Sequence, residues 1–208
     1  MRDNSTLVVV FAKAPQAGKV KTRLAAAIGD QAAARLHARL VERAVATALA
    51  ADCGPVELHA SPANHGFLRA LARHRGLRLL GQVQGDVGER MHQAFRRGLR
   101  QHARMILIGS DCPALTAADV RRAARLLRGC DAVIAPAEDG GYPLIGLARS
   151  SPAVFAGVAW STASVLEQTR ERLAGLGWRW RELRTVWDVD RPEDLARLER
   201  ERLMARRP

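Results

Sequence analysis

Leu7-Val8-Val9-Val10-Phe11-Ala12-Lys13-Ala14-Pro15-Gln16-Ala17-Gly18-Lys19-Val20-Lys21-Thr22-Arg23-Leu24 is the stretch on which the reading of the chain turns. Its apolar, β-branched start predicts a buried strand from about Leu7 to Ala12. Pro15 and Gly18 mark a loop, and an Ala-rich helical pattern begins at Leu24. The cations between them are unusual for this protein. Lys13, Lys19 and Lys21 are its only lysines, set against 30 arginines. An ammonium is a compact point charge, whereas a guanidinium is a planar fork. Ammonium groups held between a strand end and a helix start suit a phosphate, because free N–H groups and the helix dipole already favour anions there. The plainer alternative is a solvated basic loop. Two common phosphate motifs are excluded by residue: a Walker A loop would need Gly at 13 and Ser or Thr at 20, where Lys13 and Val20 stand, and no G-x-G-x-x-G occurs.

Outward from this loop, strand and helix patterns alternate. Residues 24–51 read as helix, broken at Gly29-Asp30 with Asp30 as the cap of a second helix. Strands follow at Val56–Ala60 and Leu77–Leu80, separated by a short helix over 64–74. Gly85-Asp86-Val87-Gly88 opens a helix that reaches about Gln101. The run Arg104–Gly109 predicts a strand buried on both faces, and Thr116 with Asp119 forms a capping-box start for a helix to about Arg128. Further strands are expected at Ala132–Ala135, Leu144–Leu147 and Trp178–Trp187. Helices are expected at 162–173 and from Pro192 into a basic tail. This alternation implies α/β architecture with a mostly parallel sheet between helices. We expect one domain over 1–208.

Composition narrows the function classes. With 208 residues, 48% hydrophobic, the chain can bury a full core. A net charge of +12 attracts polyanions, but aromatic residues are only 4%, too few for a single-strand stacking platform. The arginines are spread along helical faces among glutamates, so a specific nucleic-acid partner is not expected. Cys53, Cys112 and Cys130 are odd in number with no C-x-x-C, which argues against a disulfide framework or a zinc site. No apolar run approaches the ~20 residues of a membrane span, and no signal-peptide pattern is present. The expected compartment is the cytoplasm. The six histidines show no ligand spacing, and most of them are expected at the surface. Trp178, Trp180 and Trp187 are read as core, and the hydroxyl of Tyr142 can be explained by a capped core position.

In a parallel sheet, ligands gather at the carboxyl ends of the strands. The exceptional residues fall there: the lysine loop, then Asp111 within Gly109-Ser110-Asp111-Cys112-Pro113, then Asp139. Asp188 and Asp190 follow the last expected strand and share one side if that segment is extended. Asp190 is equally well explained as a cap for the helix starting at Pro192. A carboxylate at the end of a buried strand either caps the next turn or binds a cation; Asp111 has no adjacent Arg or Lys to neutralise it, which suits the cation. Mg²⁺ is often held by one or two carboxylates plus substrate phosphates. Lysines for phosphate and aspartates for metal together describe chemistry at a nucleotide's phosphates.

Six ordered stretches carry a family resemblance: Lys13-x-Pro15-x-x-Gly18-x-Val20-Lys21-Thr22-Arg23-Leu24, Gly85-Asp86-x-Gly88-Glu89-Arg90-Met91, Gly109-Ser110-Asp111-x-Pro113, Asp139-Gly140-Gly141-Tyr142-x-Leu144-Ile145-Gly146-Leu147, Trp160-Ser161-Thr162, and Asp188-Val189-Asp190-x-Pro192-Glu193-Asp194-Leu195. Over nearly its whole length the chain resembles the bacterial nucleotide-diphospho-sugar transferase-like family, the arsenosugar-biosynthesis type of glycosyltransferase. That family is similar in turn to 2-phospho-lactate guanylyltransferase and molybdenum-cofactor guanylyltransferase. The resemblance implies a GT-A fold with a late antiparallel strand, and a metal-dependent transferase using Mg²⁺ or Mn²⁺. It implies nucleotide contacts from Lys13, Gly18, Lys21, Arg23, Gly85 and Gly88. Lys21, Arg23 and Asp139 are the implied catalytic residues. Asp111 matches the metal aspartate and Asp190 a second ligand, with Asp188 as its alternative. Tyr142, Trp160, Ser161 and Thr162 would line the acceptor side, as would Asp139. One departure separates two activities: the Asp-x-Asp of many glycosyltransferases has Pro113 in its third position here, a pattern more similar to the nucleotidyltransferases. The partners expected are a nucleotide or nucleotide sugar and a small acceptor. Glycosyl transfer, nucleotidyl transfer with pyrophosphate release, and a basic nucleic-acid-binding module are the three classes to separate.

Overall fold

The structure, a computed structural model, describes residues 6–201 and residue 203. The expected basic tail lies outside the described residues. Strand β1 (Thr6–Lys13) runs centrally through a seven-stranded sheet, and α1 (Thr22–Ile28) and α2 (Asp30–Ala51) follow it. Then come β2 (Val56–Ser61), α3 (Gly66–Arg75), β3 (Arg78–Gly81), α4 (Val87–Gly98), β4 (Arg104–Ile108), α5 (Ala117–Leu126) and β5 (Ala132–Ala135). The remainder is β6 (Leu144–Leu147), α6 (Val165–Gly175), β7 (Trp180–Glu182) and α7 (Pro192–Arg200). The strand order is β3-β2-β1-β4-β6-β5-β7. β6 is antiparallel to both neighbours and all other pairs are parallel. This is the mostly parallel sheet with a late antiparallel strand that the resemblance implies.

The period of two along each strand sorts the core into two layers. Val8, Val10, Leu58, Ile106, Ile108, Val133 and Leu144 face α2, α3 and α5. Leu7, Val9, Met105, Leu107, Ile134, Ile145 and Leu147 face α4 and α6, where Phe95 and Leu173 are fully buried. Each such side chain contributes about 1.5–3 kcal/mol by leaving water. Because both faces are covered, β1, β4 and β5 read as continuous apolar runs.

Local chemistry sets the helix boundaries. Thr116 and Asp119 form both arms of a capping box. Asp86 and Glu89 do the same for α4. Gly29 breaks the long helical pattern as expected, but it is itself the cap, and Asp30 is the first residue of α2. The strand expected over 178–187 shortens to Trp180–Glu182, with one isolated bridge between Ala137 and Val186. Beyond Leu183, Arg184 turns back to clamp Asp119 and the Ala114 carbonyl, which takes the segment off the sheet. No helix among the described residues is long and apolar enough to cross a membrane.

Candidate active site

A cavity of about 1020 Å³ opens where β1, β4 and β5 end and β6 begins. Ten of the residues singled out by sequence line it: Lys13, Lys21, Arg23, Asp111, Asp139, Tyr142, Trp160, Ser161, Thr162 and Asp190. Gly18, Gly85 and Gly88 do not. They shape its walls instead. Gly18 turns the lysine loop with a φ of +74°, and Gly85 stands at +115° beside the Glu89 arm of the α4 cap. Gly88 is buried under Trp160: a Cβ there would sit 2.6 Å from the indole nitrogen. The indole therefore lies directly on helix backbone, next to the cavity.

The lysine loop is not uniformly solvated. Lys13 and Lys19 are exposed, but the Lys21 side chain is only 3% exposed. Its backbone is left-handed, with φ 50° and ψ 42°, a conformation that costs a non-glycine residue on the order of 1–2 kcal/mol. The reason is visible at its tip: Nζ lies 3.0 Å from Asp111 Oδ1. This corrects the expectation that Asp111 lacks a neutralising cation. The partner stands 90 positions away in sequence and is adjacent only because β1 and β4 pair in parallel.

A second unexpected partner is His37 from α2, which with His59 is fully buried rather than at the surface. His37 Nε2 lies 3.1 Å from the Lys13 carbonyl, which accepts from it. Nδ1 lies 3.5 Å from Asp111 Oδ1 and has no hydrogen-bond partner among the described residues. Ser110 Oγ is also 3.5 Å from Oδ1. All side-chain contacts to Asp111 among the described residues thus fall on one oxygen, while the carboxyl side chain is 49% exposed. Oδ2 is left for the cavity. Desolvation opposes ionisation, but the Lys21 charge and His37 outweigh it and hold Asp111 well below the usual carboxylate range.

Asp188 behaves in the opposite sense. Burial, then the neighbouring Asp139 charge, push its carboxyl up to about 6; Lys21 pulls against them and Asp111 adds to them. Three carboxylates therefore crowd one lysine. Asp190 points elsewhere, paired with Arg23 at the cavity rim. Nor does Asp190 cap α7: the cap residue is Arg191, and the Asp194 carboxylate accepts from the backbone N–H groups of both Asp190 and Arg191.

The far wall holds the residues assigned to the acceptor. Asp139 is exposed and accepts from Gly141 N–H at 2.9 Å. Tyr142 is held protonated by burial, its hydroxyl 3.4 Å from Thr169 Oγ1. Ser161 is left-handed at φ 66°, and Thr162 donates to the Ala159 carbonyl at 2.7 Å. Trp187 belongs to the buried core yet also lines the cavity, so core and ligand wall coincide there. Sequence reading passed over Arg90, which lines the cavity with its Nε buried and without a partner among the described residues. Its signal was its place in Gly88-Glu89-Arg90-Met91. His37 had a signal too: it falls on the apolar face of α2 with Ala33, Leu40, Val41 and Ala44.

No group of three or more His, Cys, Asp and Glu side chains among the described residues forms a preformed metal cage. The donor set nonetheless suits a hard cation that brings its own phosphate ligands. The Asp111 side chain is half-exposed with its side-chain contacts on Oδ1, and the crowding that burdens Asp188 is what a divalent charge relieves.

Comparisons with known proteins bear on the fold that carries this arrangement. A candidate nucleotide-diphospho-sugar transferase from Desulfovibrio desulfuricans G20 is 31% identical, with a TM-score of 0.87 over 95% of this chain and 87% of its own. A nucleotidyl transferase from Methanothermobacter shares the fold at 15% identity, with a TM-score of 0.64 over 96% and 98% of the two chains. So does the manganese complex of Rv0371c from Mycobacterium tuberculosis H37Rv, at 20% identity, with a TM-score of 0.54 over 93% and 97%. No curated protein matches the sequence. In fold the chain is glycosyltransferase- and nucleotidyltransferase-like. Residues 44–162, from the middle of α2 through the loop that carries Trp160, match a family described as an uncharacterized protein conserved in bacteria, and to that family, DUF2064, this chain belongs.

Proposed function

We propose that this protein is a cytoplasmic, metal-dependent transferase, acting as one nucleotide-binding domain over 1–208, that takes a nucleotide-diphospho-sugar and glycosylates a small acceptor. One observation carries the reading: a single cavity sets Lys13, Lys19 and Lys21 against Asp111, Asp139 and Asp188 at the carboxyl edge of the sheet. Similarity to the Desulfovibrio protein supports the same substrate class. Lys13, Lys19 and Arg23 would take the phosphates, with Gly18, Gly85 and Gly88 shaping the nucleotide wall. Asp111 and Asp188 would hold Mg²⁺ or Mn²⁺, with Asp190 held at the rim by Arg23. The ion would supply charge neutralisation at the departing diphosphate. Lys21 fixes Asp111 and keeps a positive charge beside the phosphates. Tyr142, Trp160, Ser161 and Thr162 would receive the acceptor, and Asp139 would accept its proton.

Nucleotidyl transfer is the second reading, favoured by Pro113, which leaves Asp111 without a second carboxylate two residues on. The two readings share the metal and differ in product. The test is calorimetric titration of nucleotides and nucleotide sugars with and without Mn²⁺, on the parent and on Asp111→Asn, followed by a pyrophosphate assay. We expect metal-dependent binding of a nucleotide sugar in the parent, its loss in the variant, and no pyrophosphate. Pyrophosphate release on adding a nucleoside triphosphate and a small phosphorylated acceptor would establish the second reading. Metal-independent binding in both proteins would overturn both.

A further inference from the structure

We infer that Arg90 is a specificity-determining residue: its guanidinium receives a carboxylate or phosphate group carried by the acceptor. The inference deepens the proposed function and rests on its cavity holding two substrates. The cations of the cavity come from two sides of the sheet. Ala12, Ala14 and Leu24, which flank the lysine loop, pack into the layer that holds α2, so the loop with Lys13, Lys19 and Lys21 belongs to that side. Met91, Phe95, Tyr142 and Trp160 pack into the other layer, and Arg90 stands beside Met91 on α4. Arg90 therefore shares a wall with residues proposed for the acceptor, away from the loop proposed for the nucleotide phosphates. The indole of Trp160 rests on the same stretch of helix, at Gly88. The guanidinium is also uncommitted. Its Nε is enclosed without a partner among the described residues, and its two terminal nitrogens are neither enclosed nor bonded to any of them. The neighbouring Glu89 gives its carboxylate to the cap of α4, where it accepts from the Asp86 N–H at 2.9 Å. By contrast, Arg170 ends on Glu182 and Arg184 on Asp119 at 2.8 Å, Arg197 ends on Glu138 at 2.7 Å, and Arg23 meets Asp190 at the rim. An enclosed N–H left unpaired is costly, and a guanidinium stays charged throughout the ordinary pH range. A planar fork that is charged and unpaired on a cavity wall matches an oxyanion bidentately.

The Nε–H resonance of Arg90 in ¹⁵N-arginine-labelled protein reports on the site directly, and its absence from Arg90→Lys assigns it. The probes are inorganic phosphate and acetate, with chloride at equal ionic strength as the control. Each is titrated into the parent and into the double variant Lys13→Gln/Lys19→Gln, which strips the lysine loop and leaves α4 untouched. We expect phosphate or acetate to move the Arg90 signal to saturation in the millimolar range, as one bidentate pair allows. The double variant should bind within about twofold of the parent, because the two sites are independent. The tighter of the two probes identifies the acid as phosphate or carboxylate. A linear drift without saturation, or an equal response to chloride, means an adventitious ion only and overturns the inference. A loss of about tenfold or more in the double variant also overturns it, since Arg90 would then belong to the site for the nucleotide's phosphates. Calorimetric titration of phosphate gives a second reading: adding Arg90→Lys to the double variant keeps the charge but removes the fork, and should weaken binding at least about tenfold with the melting temperature unchanged. Undiminished binding there refutes the role of Arg90. Failure of the proposed function shows separately, as nucleotide binding that does not depend on Mn²⁺, and leaves the Arg90 titration readable.

Discussion

Replacing Asp188 by Asn should make the empty protein more stable and the loaded protein less so. Asp188 sits half-buried beside Asp139 and Asp111, and its carboxyl is raised from 3.8 to about 6. A raised acid holds its proton more tightly in the folded chain than in the unfolded one. The stability this provides is complete below pH 3.8 and is lost as the pH rises through 6. At about 1.4 kcal/mol per pH unit the shift amounts to about 3 kcal/mol. Partial exposure to solvent screens it, leaving roughly 1–2 kcal/mol. Asn carries no charge at any pH, so Asp188→Asn escapes this loss. Melting curves in a chelator from pH 4 to 8 should show the variant level with the parent near pH 4. By pH 7 the gap should widen to about 2–8 °C in the variant's favour, at ~2–4 °C per kcal/mol for a chain of this size. Addition of Mn²⁺ with nucleotide should reverse the order. A ligand at 100 times its dissociation constant adds about 2.7 kcal/mol, and the variant should gain less. A gap that stays constant with pH, or a variant that melts below the parent in chelator at pH 8, would refute the reasoning.

Lys21→Ala should weaken nucleotide binding and also lower the melting temperature, because the ammonium is buried against Asp111. The combination Lys21→Met with Asp111→Asn should recover stability but not binding, since it removes both charges together. Gly88→Ala should displace the Trp160 indole that lies on this backbone. We expect a fold that survives, with an acceptor KM raised several-fold and nucleotide affinity less affected. Binding to DNA or RNA should be weak, independent of sequence and lost at physiological salt, measured by fluorescence anisotropy across a salt series. Tight binding to a defined sequence at that salt would point to the third class of function.

Much of this architecture could be read from residues because the determinants are local. The apolar runs at β1, β4 and β5 are continuous since the sheet is covered on both faces, and Thr116 with Asp119 announces α5 through a cap that both side chains complete. The residues that line the cavity were legible for a related reason: strand ends are marked by a change from apolar to charged residues, as at Lys13 and Asp111. What sequence could not supply was the pairing across the sheet. Lys21 looks like a loop lysine until β1 and β4 are placed side by side, and His37 looks like one more polar residue on a helix. The strand drawn over 178–187 failed differently. Its alternation is real, but Arg184 finds Asp119 and Ala114, and that long-range clamp outweighs the local preference for extended pairing.

The ion pair between Arg23 and Asp190 joins residues 167 positions apart. Seen from the ribosome, it sets an order of events. Six of the seven strands, including the three that carry the lysine loop, Asp111 and Asp139, have emerged by Leu147. At that stage the sheet can assemble, yet the cavity still lacks Trp160, Asp188 and the rim. A chain interrupted between Leu147 and Trp187 would therefore present its basic loop to the cell with the cavity incomplete, lacking at least Asp188 and the Asp190 rim. A complete cavity would arrive only with about the last tenth of synthesis, well after most of the sheet can form.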